Sequence, residues 1–145
     1  MPMCEIGFGI DGGGTHSRLC LFSLEDGREI GRFTGGSTNM YSVGRDEAMR
    51  NIEQLLCSSG VSLERLKAGC LGSAGLSRPA EKEAFSAFFR RLLPQCSMYL
   101  CNDGETLLVG ALEATEGYCL IAGTGSLALA RNREGHTARA GGLGY

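Results

Sequence analysis

The hydrophobic residues near the start of the chain form three short runs of the length of β-strands. Apolar runs cover residues 4–10, 17–24 and 28–33, and they are broken by a glycine loop at 11–15 and a turn at 25–27. Connections this short join antiparallel neighbours. The pattern therefore predicts a three-stranded antiparallel meander.

Helical and strand-like patterns then alternate up to residue 115. Apolar residues recur at helical spacing over residues 44–58, 79–93 and 105–114, while strand-like runs cover residues 68–74 and 97–101. The predicted order is β-β-β-α-β-α-β-α. This order predicts an α/β fold in which a mixed five-stranded sheet carries helices on both faces.

The opening pattern recurs after residue 115. Strand-like runs at 118–122, 127–130 and 136–140 again enclose a glycine loop, here at 123–126. Internal repetition of this kind predicts two related units. We expect residues 1–115 to form one complete domain and residues 116–145 to form the opening meander of a truncated second domain. The edge strands of such a partial unit favour strand exchange, so we expect a homodimer.

Composition narrows the classes of function. The chain has 145 residues, a formal net charge of −2 and no basic tract, which argues against nucleic acid or an anionic membrane as a partner. No apolar run reaches the roughly 20 residues needed to span a bilayer. Glu5 and Asp11 interrupt the first apolar stretch, unlike in a signal peptide. The 7 cysteines stand singly, without zinc-site spacing, and favour a reducing, cytoplasmic location.

The first glycine loop has the chemistry of a phosphate site. Consecutive glycines let backbone N–H groups approach phosphate oxygens without side-chain obstruction, and Thr15 adds a hydroxyl donor. Asp11, at the end of a strand, is placed to hold a hydrated Mg²⁺ near those phosphates. An ordinary glycine-rich hairpin explains the loop equally well. The candidate cofactor-binding residues here are Asp11, Gly12, Gly13, Gly14 and Thr15.

The second glycine loop strengthens the phosphate interpretation. Alone it is weak evidence, but two strand–glycine–strand hairpins in repeated units are suited to hold one polyphosphate from both sides. The first loop lacks the Gly-Lys-Ser/Thr of a Walker loop, and a strand rather than a helix follows it, unlike in a dinucleotide fingerprint. The candidate residues of the second loop are Gly123, Thr124, Gly125 and Ser126.

Asp103 is the candidate catalytic residue. It lies between a predicted strand and a predicted helix, where catalytic residues of open α/β sheets often lie. A carboxylate there can take the proton from a hydroxyl group as it attacks a phosphoryl group. The alternative is a helix N-cap formed by Asn102 or Asp103, which is the better explanation of an isolated Asn-Asp-Gly.

Two polar loops, at residues 37–39 and 72–75, follow strands at what we expect to be the same edge of the sheet. Their side chains can donate and accept hydrogen bonds from a polyhydroxyl ligand. Ordinary turn chemistry is the alternative and explains these loops more readily when each is taken alone.

Together, five motifs resemble those of N-acetylglucosamine kinase and its relatives, which include the BadF/BadG/BcrA/BcrD ATPase family. The motifs occur in the same order and span essentially the whole chain: residues 11–15, 37–39, 71–75, 102–103 and 123–126. The resemblance implies the fold of the sugar kinase/Hsc70/actin superfamily, in which two ribonuclease-H-like domains enclose an ATP cleft.

The resemblance also implies a role for each motif. Residues 11–15 and 123–126 match the two phosphate loops, with Asp11 near the metal, and Asp103 matches the general base. The positions that match sugar-facing loops are Asn39 and, less directly, Ser73 and Asn102. The implied cofactors are ATP and Mg²⁺, and the implied partner is a small-molecule sugar.

These expectations favour an ATP-dependent hexosamine kinase as the parent protein, with the truncated chain itself inactive. Two alternatives belong to other classes of protein. One is the ATPase activator subunit of a CoA-ester dehydratase or reductase, which holds an iron–sulfur cluster between two subunits. The other is a non-enzymatic sugar sensor, because a fold does not fix a function.

Overall fold

The computed structural model describes residues 4–112, 116–122 and 126–141. The chain divides into two compact units, Met1–Asn102 and Asp103–Tyr145. The elements of the first unit are β1 (Ile6–Gly12), β2 (His16–Ser23), β3 (Glu29–Gly36), α1 (Met40–Val43), α2 (Arg45–Ser58), a 3-10 turn (Leu63–Arg65), β4 (Leu66–Ser73), α3 (Pro79–Leu92) and β5 (Ser97–Cys101).

The five strands of the first unit form one mixed sheet in the order β3-β2-β1-β4-β5. β1 pairs antiparallel with β2 and parallel with β4, which in turn pairs parallel with β5. The predicted strands and the long helices are therefore confirmed. The short helix α1 and the 3-10 turn escaped prediction, because elements of this length carry no periodic hydrophobic pattern.

The core lies on one face of this sheet. Ile6, Phe8 and Ile10 alternate along β1 with residues of the other face and are buried, as are Leu19 and Leu21 opposite them on β2. The long helices α2 and α3 contribute their apolar residues to the same core cluster. The predicted mixed five-stranded sheet with helices is confirmed, and within this unit the two long helices share one core cluster.

Glycine makes room for the largest core side chain. A Cβ on Gly69 of β4 would lie 2.4 Å from Cζ of Phe8 and 2.6 Å from the sulfur of Met98. The Phe8 ring therefore lies over a strand position that admits no side chain. The backbone hydrogen bonds of the parallel pair β1 and β4 set the spacing of these strands, and Gly69 leaves room for the Phe8 ring on one face of the pair.

The second unit contains α4 (Asp103–Leu112), β6 (Gly117–Ala122), β7 (Ser126–Arg131) and β8 (Thr137–Gly141). Its strands form an antiparallel meander, and α4 packs against β6 and β7. Our predicted boundary assigned this helix to the first domain. The contacts instead group α4 with the second sheet, and the boundary at residue 115 stays a prediction.

No helix in the described ranges is long and apolar enough to cross a membrane.

Candidate functional site

Three loops of the first unit meet at the carboxyl ends of β1 and β4. β1 leads into the glycine loop at residues 13–15, β4 leads into residues 74–78, and β3 leads into residues 37–39. The carboxyl ends of parallel strands share one edge of a sheet, and this edge is where open α/β sheets bind ligands. The two polar loops at residues 37–39 and 72–75 do lie at one edge, as predicted, and the glycine loop lies beside them.

The glycine loop presents unused backbone donors. The N–H of Gly13 donates to the carbonyl oxygen of His16 at 2.9 Å, which closes the hairpin. Gly14 and Thr15 are exposed, and no hydrogen bond among the described residues uses their N–H groups. The exposed carboxylate of Asp11 lies at the end of the adjoining strand. The loop therefore offers free N–H groups beside one free carboxylate.

A single carboxylate in this setting suits magnesium. In the described parts of the chain, no three His, Cys, Asp or Glu side chains converge on a metal position. Mg²⁺ does not require such a group, because it keeps several waters and is commonly held by one or two carboxylates together with substrate phosphates. Asp11 beside the exposed N–H groups of the glycine loop fits that donor set.

Gly12 holds the glycine loop against its neighbours. A Cβ at this position would lie 1.9 Å from Oγ1 of Thr38 and 2.8 Å from Oγ of Ser73. The carbonyl oxygen of Gly12 also accepts a hydrogen bond from the N–H of Ala74 at 2.9 Å. The three loops therefore approach one another through a position that only glycine allows.

Ser73 has a different position from the one predicted. Its hydroxyl lies 2.9 Å from that of Thr38, and both side chains are fully buried. We expected Ser73 to face a sugar. The structure instead shows it joining the β4 loop to the β3 loop, because its place under Gly12 removes it from solvent.

Asn39 is half-buried between the glycine loop and α1. Its Oδ1 accepts a hydrogen bond from the N–H of Tyr41 at 2.9 Å, and the residue caps α1. Its Nδ2 lies 4.0 Å from the position of a Cβ on Gly14. No described hydrogen bond uses the Nδ2 group of Asn39, so its two N–H donors remain available beside the loop.

The sequence did not reveal the hydrogen bonds that hold the glycine loop in place. The Ser37 hydroxyl donates to the carbonyl oxygen of Gly13 at 3.0 Å and accepts from the N–H of Asn39 at 3.1 Å. Nδ2 of Asn51, on α2, donates to the carbonyl oxygen of Ser37 at 2.8 Å. Ser37 thus connects the glycine loop to Asn39. The Ser-Thr-Asn motif at residues 37–39 was the sequence signal that could have indicated this connection.

A second missed feature is a set of polar side chains around Glu81. This carboxylate accepts hydrogen bonds from the Tyr41 hydroxyl and from the N–H groups of Ser77 and Arg78. Burial alone would raise the pKa of Glu81, but these hydrogen bonds outweigh burial and lower it. The bond to Glu81 raises the pKa of the Tyr41 hydroxyl. A Glu three residues after a helix N-cap was the signal that could have revealed it.

The other predicted residues belong to the end of the first unit and to the second. Asn102 is half-buried between β5 and α4. Asp103 is the first residue of α4, and its Oδ1 accepts a hydrogen bond from the N–H of Gly104 at 3.0 Å. Ser126 begins β7 opposite Ala122 and is exposed. The predicted residues Gly123, Thr124 and Gly125 lie outside the described residues.

Comparison with known proteins identifies a family that the chain matches and several curated relatives. The sequence pattern of the BadF/BadG/BcrA/BcrD ATPase family matches residues 8–145. The N-acetylmuramic acid/N-acetylglucosamine kinase of Clostridium acetobutylicum is 35% identical over 141 residues, which cover 94% of this chain and 46% of that protein. The N-acetyl-D-glucosamine kinase of Dictyostelium discoideum is 30% identical over 153 residues, covering 97% and 48%. The chain spans about half the length of the curated relatives it matches.

Solved structures show the same fold. One described as an N-acetylglucosamine kinase from Chromobacterium violaceum aligns with a TM-score of 0.76 at 26% identity, covering 99% of this chain and 51% of that chain. Another, from Porphyromonas gingivalis, aligns with a TM-score of 0.77 at 23% identity, covering 95% and 48%. The predicted ribonuclease-H-like, actin-like ATPase fold is therefore confirmed.

Proposed function

Because the chain belongs to the BadF/BadG/BcrA/BcrD ATPase family, we propose that it is the N-terminal part of an ATP-dependent hexosamine kinase. The acceptor is N-acetylglucosamine or glucosamine. The observation that carries the proposal is the exposed glycine loop, whose free N–H groups follow the exposed Asp11 carboxylate along the chain and whose Gly14 lies near the Asn39 side chain. The relatives are named as kinases of N-acetylglucosamine or glucosamine, and these names support the proposal.

The glycine loop binds the phosphates of ATP in this proposal. The N–H groups of Gly14 and Thr15 and the Thr15 hydroxyl donate to phosphate oxygens. The second loop, at residues 123–126, contributes donors from the repeated unit. Asp11 holds Mg²⁺ through water, and the bound ion neutralises charge on the phosphates.

Asp103 acts as the general base. Its carboxylate takes the proton from the sugar hydroxyl as that oxygen attacks the γ-phosphorus, and ADP leaves with the electrons of the broken P–O bond. The Asn39 amide and Asn102 orient the sugar. The hydrogen bond from Gly104 holds the carboxylate at the start of α4 and leaves its second oxygen for this proton transfer.

The test measures ADP release by the complete gene product with ATP and Mg²⁺. The panel contains N-acetylglucosamine, glucosamine, glucose, N-acetylmannosamine and no sugar. We expect release to require one hexosamine. Asp103→Asn should lower turnover by orders of magnitude while sugar binding survives. Glu105→Gln, which removes one negative charge from the same helical turn, is the matched control.

Other outcomes would change the assignment. Turnover by Asp103→Asn near that of the unmodified protein would make Asp103 a helix cap only. ADP release that needs no sugar would favour an ATPase activator. Sugar binding without phosphorylation would favour a sensor.

A further inference from the structure

Two cysteine thiols meet across neighbouring strands of the first sheet. Sγ of Cys70, on β4, lies 3.9 Å from Sγ of Cys101, the last residue of β5. Neither side chain belongs to the core cluster, to which the alternate positions Leu71 and Leu100 contribute. A disulfide bond is about 2 Å long, so the two sulfur atoms are in contact but not bonded.

A small oxidant can reach Cys70. Its side chain is half-buried, whereas Cys101 is only 3% exposed. On one side Cys70 pairs with Gly9, and no atom lies within 4 Å of the Cβ position of that glycine. On the other side it pairs with Tyr99, which is 57% exposed. The surface beside Cys70 is therefore open, and Cys70 is the thiol that an oxidant meets first.

The two cysteines are diagonal neighbours in the strand pair. Cys101 pairs with Gly72, which lies two residues beyond Cys70 along β4. With strands about 4.8 Å apart and a rise of about 3.3 Å per residue, the two Cα atoms are about 8 Å apart. Disulfides join Cα atoms up to about 7 Å apart, so a bond between these thiols must draw the backbones together.

The end of β5 is the part that moves when such a bond forms. β4 pairs with β1 and β5, whereas among the described strands β5 lies at the edge of its sheet and pairs with β4 alone. Cys101 ends β5, and Asn102 and Asp103 follow it directly in the chain. Closing the bond therefore pulls the end of β5 toward Cys70 and shifts the backbone that carries Asp103.

We propose that Cys70 and Cys101 are an oxidation site, at which a peroxide joins the two thiols in a disulfide that displaces the end of β5. The Cys70 thiolate attacks a peroxide oxygen, the O–O bond breaks, and Cys70 becomes a sulfenic acid. The Cys101 thiolate then attacks the Cys70 sulfur, which forms the S–S bond and breaks the S–O bond. The two thiols lose two electrons, hydrogen peroxide gains them, and both thiol protons end in the two waters released. A dithiol reverses the bond by exchange.

The consequence for catalysis rests on the proposed function, in which Asp103 is the general base. A base that is misplaced by a fraction of the length of a hydrogen bond no longer meets the proton it must take. We therefore expect the disulfide to lower kcat for the hexosamine by about tenfold or more. The KM for ATP should change little, because the first glycine loop lies at the end of another strand, β1.

The test treats the reduced, complete gene product with hydrogen peroxide, blocks the remaining thiols and digests the protein with trypsin. Cleavage after Lys67 and Lys82 releases Cys70 in a peptide that contains no other cysteine. Fragmentation mass spectrometry then identifies the partner of Cys70. We expect Cys101, with a mass lower by two hydrogens and full reversal by dithiothreitol. Amide hydrogen exchange at residues 101–103 should be faster in the linked protein.

Two variants and one control make the test specific. Cys70→Ser and Cys101→Ser should each prevent the bond and keep kinase activity unchanged by peroxide. The Cys70 variant alters a half-buried side chain, so it tests the inference even if the variant of the buried Cys101 does not fold. Cys57→Ser removes an exposed thiol on α2 and should form the Cys70–Cys101 bond as the unmodified protein does.

Three results would overturn the inference. One is a bond from Cys70 to a different cysteine, and another is oxidation of Cys70 without any bond. The third is a linked protein with unchanged hydrogen exchange at residues 101–103, which would show that the bond forms without moving β5. If the reduced protein phosphorylates no hexosamine, the proposed function fails, and the linked peptide and the hydrogen exchange still decide the inference.

Discussion

Two hairpins of this chain share the order strand, glycine loop, strand. They differ in how far their apolar side chains are buried. In the first, Gly12 pairs with Ser17 around the glycine loop, and in the second Ala122 pairs with Ser126 around residues 123–125. The apolar residues of β1 are buried, whereas in β6 Tyr118 is 83% and Leu120 is 69% exposed. The described chain therefore covers the apolar residues of the first hairpin much more fully than those of the second.

The neighbours of each hairpin explain the difference. β1 lies in the middle of its sheet, with β2 on one side and the parallel strand β4 on the other, and α2 and α3 cover one face. In the described second unit, β6 lies at the edge of its sheet and pairs with β7 alone. The crossover strands and their helices, not the meander, create the buried core.

The largest predicted effect tests this contrast directly. Phe8→Ala should lower the free energy of unfolding by about 4 kcal/mol, because it removes a buried ring and leaves a cavity. Leu120→Ala, the matched apolar truncation in β6, should change it by less than about 0.5 kcal/mol. Urea unfolding followed by far-UV circular dichroism measures both. A small loss for Phe8→Ala would mean that the first sheet does not carry the stability of the chain.

Hydrogen exchange gives the same comparison without a mutation. Peptides from β1 should be protected to nearly the global free energy of unfolding, and peptides from β6 should exchange through smaller openings. Equal protection of the two strands would contradict the contrast.

Sequence periodicity predicted the strands and long helices because their apolar faces repeat over several residues. The domain to which α4 belongs stays a prediction, since its pattern shows that one face is apolar but not which sheet receives it. The glycine loop and Asn39 were visible as motifs. The buried Thr38–Ser73 contact was not, because it joins residues far apart in sequence and depends on the spacing of β1 and β4.

A second prediction concerns the close approach of the three loops. Gly12→Ala places a methyl group where Thr38 and Ser73 already lie, and we expect a loss of about 2 to 3 kcal/mol in the free energy of unfolding. Gly9→Ala is the matched control on the same strand, because no atom lies within 4 Å of its Cβ position. The comparison is again by urea unfolding. Equal effects of the two substitutions would show that the loops separate without cost.

The smallest predicted effect concerns Glu81, whose buried carboxylate accepts three hydrogen bonds. Glu81→Gln should cost about 2 kcal/mol at neutral pH, because the carboxylate and its charge-assisted hydrogen bonds are lost. Glu83→Gln lies on the same helix with a 70% exposed side chain paired to Arg90, so it should cost under about 0.5 kcal/mol.

The pH dependence of unfolding separates this charge effect from a packing effect. Folding lowers the pKa of Glu81 below its ordinary value of 4.5. Its contribution is therefore fully present above that value and disappears as the pH falls through the lower folded pKa. Glu81→Gln cannot titrate, so the difference between it and the unmodified chain should shrink on acidification. A difference that stays constant from neutral to acidic pH would show that Glu81 stabilises the α1–α3 contact by its shape, and that its charge adds nothing to the hydrogen bond from Tyr41.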